Sequence, residues 1–81
     1  MLNIIYPYFY ILIMPKYVVT LEGMERRFTI PARDPFTAYI RMTKKIENVP
    51  SVYDVAFIYR DFQIIAYDTE TGDTIARIME A

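Results

Sequence analysis

The chain predicts an α+β fold of two layers: a single antiparallel-rich β-sheet with one helix packed on one face. Three observations carry this. Short β-rich runs bounded by turn residues lie on both sides of one stretch whose apolar residues fall at three- and four-residue steps. That stretch opens on Asp34-Pro35, a helix-start pair. At 81 residues the chain is one domain near the lower limit for a self-supporting core, and eight Tyr with five Phe supply the large apolar areas such a core needs.

Residues 17–22 form the first predicted strand, with Tyr17, Val19 and Leu21 on one side. Gly23-Met24 has the spacing of a two-residue hairpin, and residues 25–30 return with Arg26, Phe28 and Ile30 alternating against Glu25, Arg27 and Thr29. Pro31 closes that strand. Asp34 is the expected N-cap and Pro35 the first helical residue. Phe36, Tyr39, Ile40, Thr43 and Ile46 then mark a buried stripe on a helix of about three turns. Asn48-Val49-Pro50 ends it, because a residue before proline avoids the helical region. Three strands follow, at residues 52–59, 62–67 and 73–79, separated by Arg60-Asp61 and by Thr69-Glu70-Thr71-Gly72. The order is β-β-α-β-β-β, and it becomes β-grasp-like if the first strand lies beside one from after the helix.

The strands after the helix are apolar on both sides. Tyr53, Val55, Phe57 and Tyr59 share one, while Ala56 and Ile58 occupy the other; Phe62 and Ile64 likewise oppose Ile65 and Tyr67. One helix covers one face, so a solvated second face should alternate to polar residues. The expectation is a further cover for that face: the N-terminal segment, a second copy or another protein.

Residues 1–13 are almost wholly apolar and are read apart from a domain at 14–81. A spanning helix needs about twenty apolar residues, and this run stops at Lys16 and contains Pro7. A signal peptide would carry a basic start and a small-residue cleavage site. The segment is expected to be dispensable, with Met14 as an alternative initiator, or to form an edge strand, to which Pro7 would confine it.

Chemistry is bounded by what the chain does not contain. With no Cys and no His, it offers no disulfide, no thiolate nucleophile and no imidazole base or ligand. Ser51 is the only serine and has no imidazole to activate it. No metal site and no cofactor are expected, and the chain is expected not to be an enzyme. One stretch tests that expectation. Ile64-Ile65-Ala66-Tyr67-Asp68-Thr69-Glu70-Thr71-Gly72 resembles the first motif of the DEDD 3′–5′ exonucleases, and the resemblance implies divalent metal ions on Asp68 and Glu70. It covers these nine residues, whereas the family needs further acidic residues well downstream and only nine residues follow Gly72. A hairpin turn built from Asp, Thr and Gly accounts for the same run. The last residues of the sequence, Arg77-Ile78-Met79-Glu80-Ala81, carry no Gly-Gly, so a ubiquitin-like carrier role is not expected.

The reading that follows is a small non-enzymatic protein-interaction module of cytoplasmic location, resembling in profile the small regulators and inhibitors of viral or archaeal type. It acts through an apolar, Tyr- and Phe-rich sheet face or an edge strand on a protein partner or on a second copy as a homodimer. Tyr53, Phe57, Tyr59, Ile65 and Tyr67 are the expected contact residues. The alternative is nucleic-acid binding through Arg33, Arg41, Lys44 and Lys45 on a basic helix face, against a net charge of −1 that provides no global attraction.

Overall fold

The computed structural model describes residues 14–24 and 26–81, so both readings of residues 1–13 lie outside the described residues. Five strands form one sheet: β1 (Lys16–Leu21), β2 (Arg26–Pro31), β3 (Val55–Arg60), β4 (Gln63–Asp68) and β5 (Thr74–Glu80). Their order is β2-β1-β5-β4-β3, with every neighbouring pair antiparallel. The last strand is thus inserted between the two hairpins. β1 does lie beside a strand from after the helix, and the pairing with β5 is antiparallel.

Helix α1 (Pro35–Thr43) joins β2 at one edge of the sheet to β3 at the other, and so crosses one face. Its start is the one the sequence predicts: Asp34 is in extended conformation and its carboxylate accepts the Thr37 N–H at 2.7 Å, with Pro35 behind it. The buried residues are Ala38, Tyr39 and Met42. Of the expected stripe, Tyr39 is buried, Ile40, Thr43 and Ile46 are half-buried, and Phe36 is exposed. The face is turned toward Ala38, which lacks side-chain bulk beyond Cβ and lets the helix backbone approach the sheet. Thr43 directs its hydroxyl back to the Ile40 carbonyl, and α1 ends there.

The core lies between α1 and the sheet side made by Val19, Leu21, Ile30, Val55, Ala66, Ala76 and Ile78. The Tyr39 ring stands edge-on to Phe57 with centroids 5.6 Å apart, and its hydroxyl donates to the Pro50 carbonyl at 2.7 Å. Burial, reinforced by the Asp68 charge, pushes that hydroxyl up to about 12.

Four boundaries differ from the sequence reading, the first being the helix end, which falls at Thr43 and not past Ile46. Residues 52–54 form a 3₁₀ turn capped by the Ser51 hydroxyl, and the strand begins at Val55. The β3–β4 turn is Asp61-Phe62, one residue later than expected, closing on the Arg60–Gln63 pair. Both turn residues have positive φ, 53° and 62°, the sense that matches strand twist in a two-residue hairpin. Phe62 is therefore at the tip and 85% exposed. In the first hairpin the ladder closes at Leu21–Arg26, because Glu22 donates its N–H to Ile75 of β5.

Candidate interaction surfaces

Strand alternation divides the side chains of the sheet between two faces. The helix-covered face takes Tyr17, Val19, Leu21, Phe28, Ile30, Phe57, Ile64, Ala66, Ala76 and Ile78. The opposite face takes Val18 beside Met79, Ile65 between Arg77 and Ile58, and Tyr67 beside Ala56. Arg27 and Arg60 lie at its borders. Ile65 is 7% exposed and stands outside the main core cluster. A shallow cavity of about 310 Å³ opens there between Ile58, Ile65, Tyr67 and Thr74. Arg77, on β5 between Thr20 and Ile65, interrupts this face and is held by Glu22, 3.1 Å away.

The five expected contact residues do not form one patch. Ile65 and Tyr67 belong to the open face. Phe57 and Tyr59 point to the helix side, where Phe57 packs edge-on against both Phe36 and Tyr39 and Tyr59 borders a cavity of about 300 Å³ with Tyr17, Pro35 and Phe62. Tyr53, 93% exposed, sits on the 3₁₀ turn before β3. Ile58, Met79 and Val18 were missed as open-face residues; their strand alternation was visible, but the side taken by the helix was not.

The basic residues come partly together. Arg41, Lys44 and Lys45 line one cavity of about 420 Å³ with Ile30 and Pro31. Arg33 is apart, 3.7 Å from the carboxylate of its neighbour Asp34. Arg41 donates to the Pro31 carbonyl, so part of its guanidinium is engaged. The cavity also sits at the C-terminal end of α1, where the helix dipole is negative and disfavours an anion.

The acidic run is a turn. The Asp68 carboxylate accepts the N–H groups of Glu70 and Thr71 at 2.8 and 3.2 Å, Gly72 donates to the Asp68 carbonyl, and Gly72 has φ 77°. Among the described residues no group of three or more acidic side chains is placed to hold a metal ion.

The two edges of the sheet differ in how their outward backbone groups are disposed. Ala32 donates to Pro15, which fixes the phase of the β1–β2 ladder: Arg26, Phe28 and Ile30 bond inward to β1, and Arg27, Thr29 and Pro31 face out. Pro31 has no N–H to offer, and its carbonyl is taken by Arg41. At β3 the Thr69 N–H bonds the Asp54 carbonyl, while the Asp68 N–H goes to Asp73 instead of to Val55. Ala56, Ile58 and Arg60 therefore bond inward to β4, and Val55, Phe57 and Tyr59 face out. None of these three has a backbone partner on that side among the described residues.

Comparison with protein-family models, curated proteins and solved structures gives no match to this chain. Among the described residues no helix is long and apolar enough to cross a membrane.

Proposed function

We propose that this protein is a non-enzymatic interaction module that binds protein through its apolar sheet. The observation that carries the reading is the face opposite α1, where Val18 pairs with Met79, Ile58 with Ile65 and Ala56 with Tyr67, Arg77 stands between the first pair and the others, and no element of the described residues packs on them. Burying such a strip is worth roughly 25 cal/mol for each Å² removed from water, and the flanking Arg27 and Arg60 keep it soluble when unoccupied. A cytoplasmic, regulator-like role fits this design, since the module offers surface and shape in place of reactive groups. The test is binding of a hydrophobic dye together with a light-scattering concentration series on the full chain, repeated for Tyr67→Ser. Dye binding or concentration-dependent association that weakens in Tyr67→Ser supports the reading. A monomer at every concentration that binds no dye overturns it.

A second reading, nucleic-acid binding, rests on the convergence of Arg41, Lys44 and Lys45 on one cavity. It requires affinity for labelled oligonucleotides that falls steeply with salt and falls again in Lys44→Ala/Lys45→Ala. Affinity that ignores salt, or no binding, removes it.

A further inference from the structure

The outward edge of β3 has the features of a docking edge, and the partner that fits it is a second copy of this chain. We propose that two copies join through antiparallel pairing of their β3 strands about a two-fold axis at Phe57, extending each five-stranded sheet into its neighbour's. The proposal rests on the interaction reading above and names its partner.

The first argument is the state of the edge. Val55, Phe57 and Tyr59 present a regular row of N–H and C=O groups, with no proline, bulge or inward-pointing charge between residues 55 and 59. Natural sheets blunt such edges, and β2 is blunted, by Pro31, by Arg41 on its carbonyl, and by Arg26 and Arg27. The side chains along β3 are themselves under-covered: Tyr59 is 68% exposed and Ile58 is exposed at the open face.

The second argument is register. Antiparallel pairing places outward-bonding residues opposite outward-bonding residues, so Val55, Phe57 and Tyr59 must meet members of the same set. Directly opposite residues share a face, so both helices then lie on the same side of the joined sheet. Three registers satisfy this near the middle of the strand. The one centred on Phe57 sets Val55 against the second copy's Tyr59, and Ala56 against its Ile58. It also brings Asp54, on the 3₁₀ turn just before the strand, beside the second copy's Arg60, and by symmetry does so twice. Both side chains are exposed and free of ion-pair partners among the described residues. Shifting by one pairing step in either direction leaves those four charges opposite apolar residues. Charge complementarity therefore selects the Phe57 centre, and it does so with side chains that form no ion pair among the described residues.

The interface is isologous, as a two-fold demands. Its hydrogen bonds come from the three outward residues of each copy, its apolar contact from Phe57, Val55 and Tyr59 on one face and Ala56 and Ile58 on the other, and its specificity from the two Asp54–Arg60 pairs.

The test is sedimentation equilibrium of the full chain, with circular dichroism confirming that each variant is folded; residues 54 and 60 are exposed, so the fold should tolerate both changes. Wild type is expected to dimerise. Arg60→Asp and Asp54→Arg each place like charges opposite one another and should raise the dimer Kd by about tenfold or more. The double variant Asp54→Arg/Arg60→Asp restores opposite charges and should return the Kd to within about threefold of wild type. Single variants that dimerise like wild type, or a double variant no tighter than the singles, overturn the edge pairing. A wild type that stays monomeric also overturns it, while the interaction reading survives if that monomer binds dye. Dimerisation insensitive to the charge changes but lost in Tyr67→Ser overturns the edge and assigns the contact to the open face.

Discussion

The two edge strands of this sheet are equal in length and opposite in design. β2 and β3 each have six residues, yet Pro31, Arg41 and two arginine side chains close the first while, among the described residues, the second leaves Val55, Phe57 and Tyr59 open. The hydrogen-bonding phase of each ladder makes the contrast sharp: the proline falls on an outward position of β2, where its missing N–H costs the β1–β2 ladder nothing. An edge that is not closed is either an aggregation hazard or a binding surface. The regular β3 edge, bracketed by one acid and one base at matching distances from its centre, has the form of the second.

The largest effect comes from testing that phase directly. Ile58 bonds inward, so Ile58→Pro removes a β3–β4 ladder bond and leaves the Ile65 carbonyl unpaired, which should cost about 1–3 kcal/mol, measured by denaturant unfolding. Tyr59 bonds outward, and Tyr59→Pro should keep the monomer folded while abolishing association. Equal losses of stability in the two variants would show that the phase is misassigned.

A comparable effect concerns the core to which β3 is anchored. The Tyr39 hydroxyl is neutral in the fold and its pKa is raised above the ordinary 10 to about 12. The fold therefore favours the protonated form, and that stabilisation is complete below pH 10 and lost as pH rises through 12. The loss should appear as a fall in unfolding free energy across that range. Tyr39→Phe should flatten this alkaline limb while costing about 1 kcal/mol at neutral pH, because the Pro50 carbonyl loses its donor. An unchanged alkaline transition in Tyr39→Phe would assign it to another group.

Opening the blunted edge is the reciprocal experiment. Pro31→Val with Arg41→Gln gives β2 an outward N–H and frees its carbonyl. The double variant should build assemblies larger than dimers, visible in sedimentation, because each copy then has two open edges. Assemblies no larger than those of wild type would mean that Arg26 and Arg27 suffice to close β2.

The smallest effect is local. Asp34→Ala removes the N-cap and should cost about 1 kcal/mol without touching association. Hydrogen bonding from the Thr37 N–H holds the Asp34 carboxyl below its ordinary value, so its contribution is present above pH 4 and lost as pH falls through the lowered pKa. Acid unfolding should be less steep in the variant.

Local chemistry was legible in the residues. Asp34-Pro35 marked the helix start, Gly72 the last turn, and alternation five strands in the chain order β-β-α-β-β-β. The edges were not legible, because they depend on β5 inserting between β1 and β4, a pairing between residues far apart in the chain. The same non-locality decides that the five expected contact residues do not share one face. Phe57 and Tyr67 were both recognised as unusual strand aromatics, but alternation alone does not say which one lies under α1. The Asp61-Phe62 turn was shifted by one residue because a bulky aromatic at positive φ is rare, and nothing in Arg60-Asp61-Phe62 announces it. Pro31 was the one available signal of an edge, and it was read merely as a strand end.

The most direct measurement is amide hydrogen exchange of the wild-type chain, residue by residue, at low and high protein concentration. The account predicts that the amides of Val55, Phe57 and Tyr59 exchange rapidly at low concentration and become protected together at high concentration. Those of Arg27 and Thr29 on the β2 edge should exchange at the same rate in both. Protection that rises at Arg27 and Thr29, or a dimer in which Val55, Phe57 and Tyr59 remain unprotected, would contradict it.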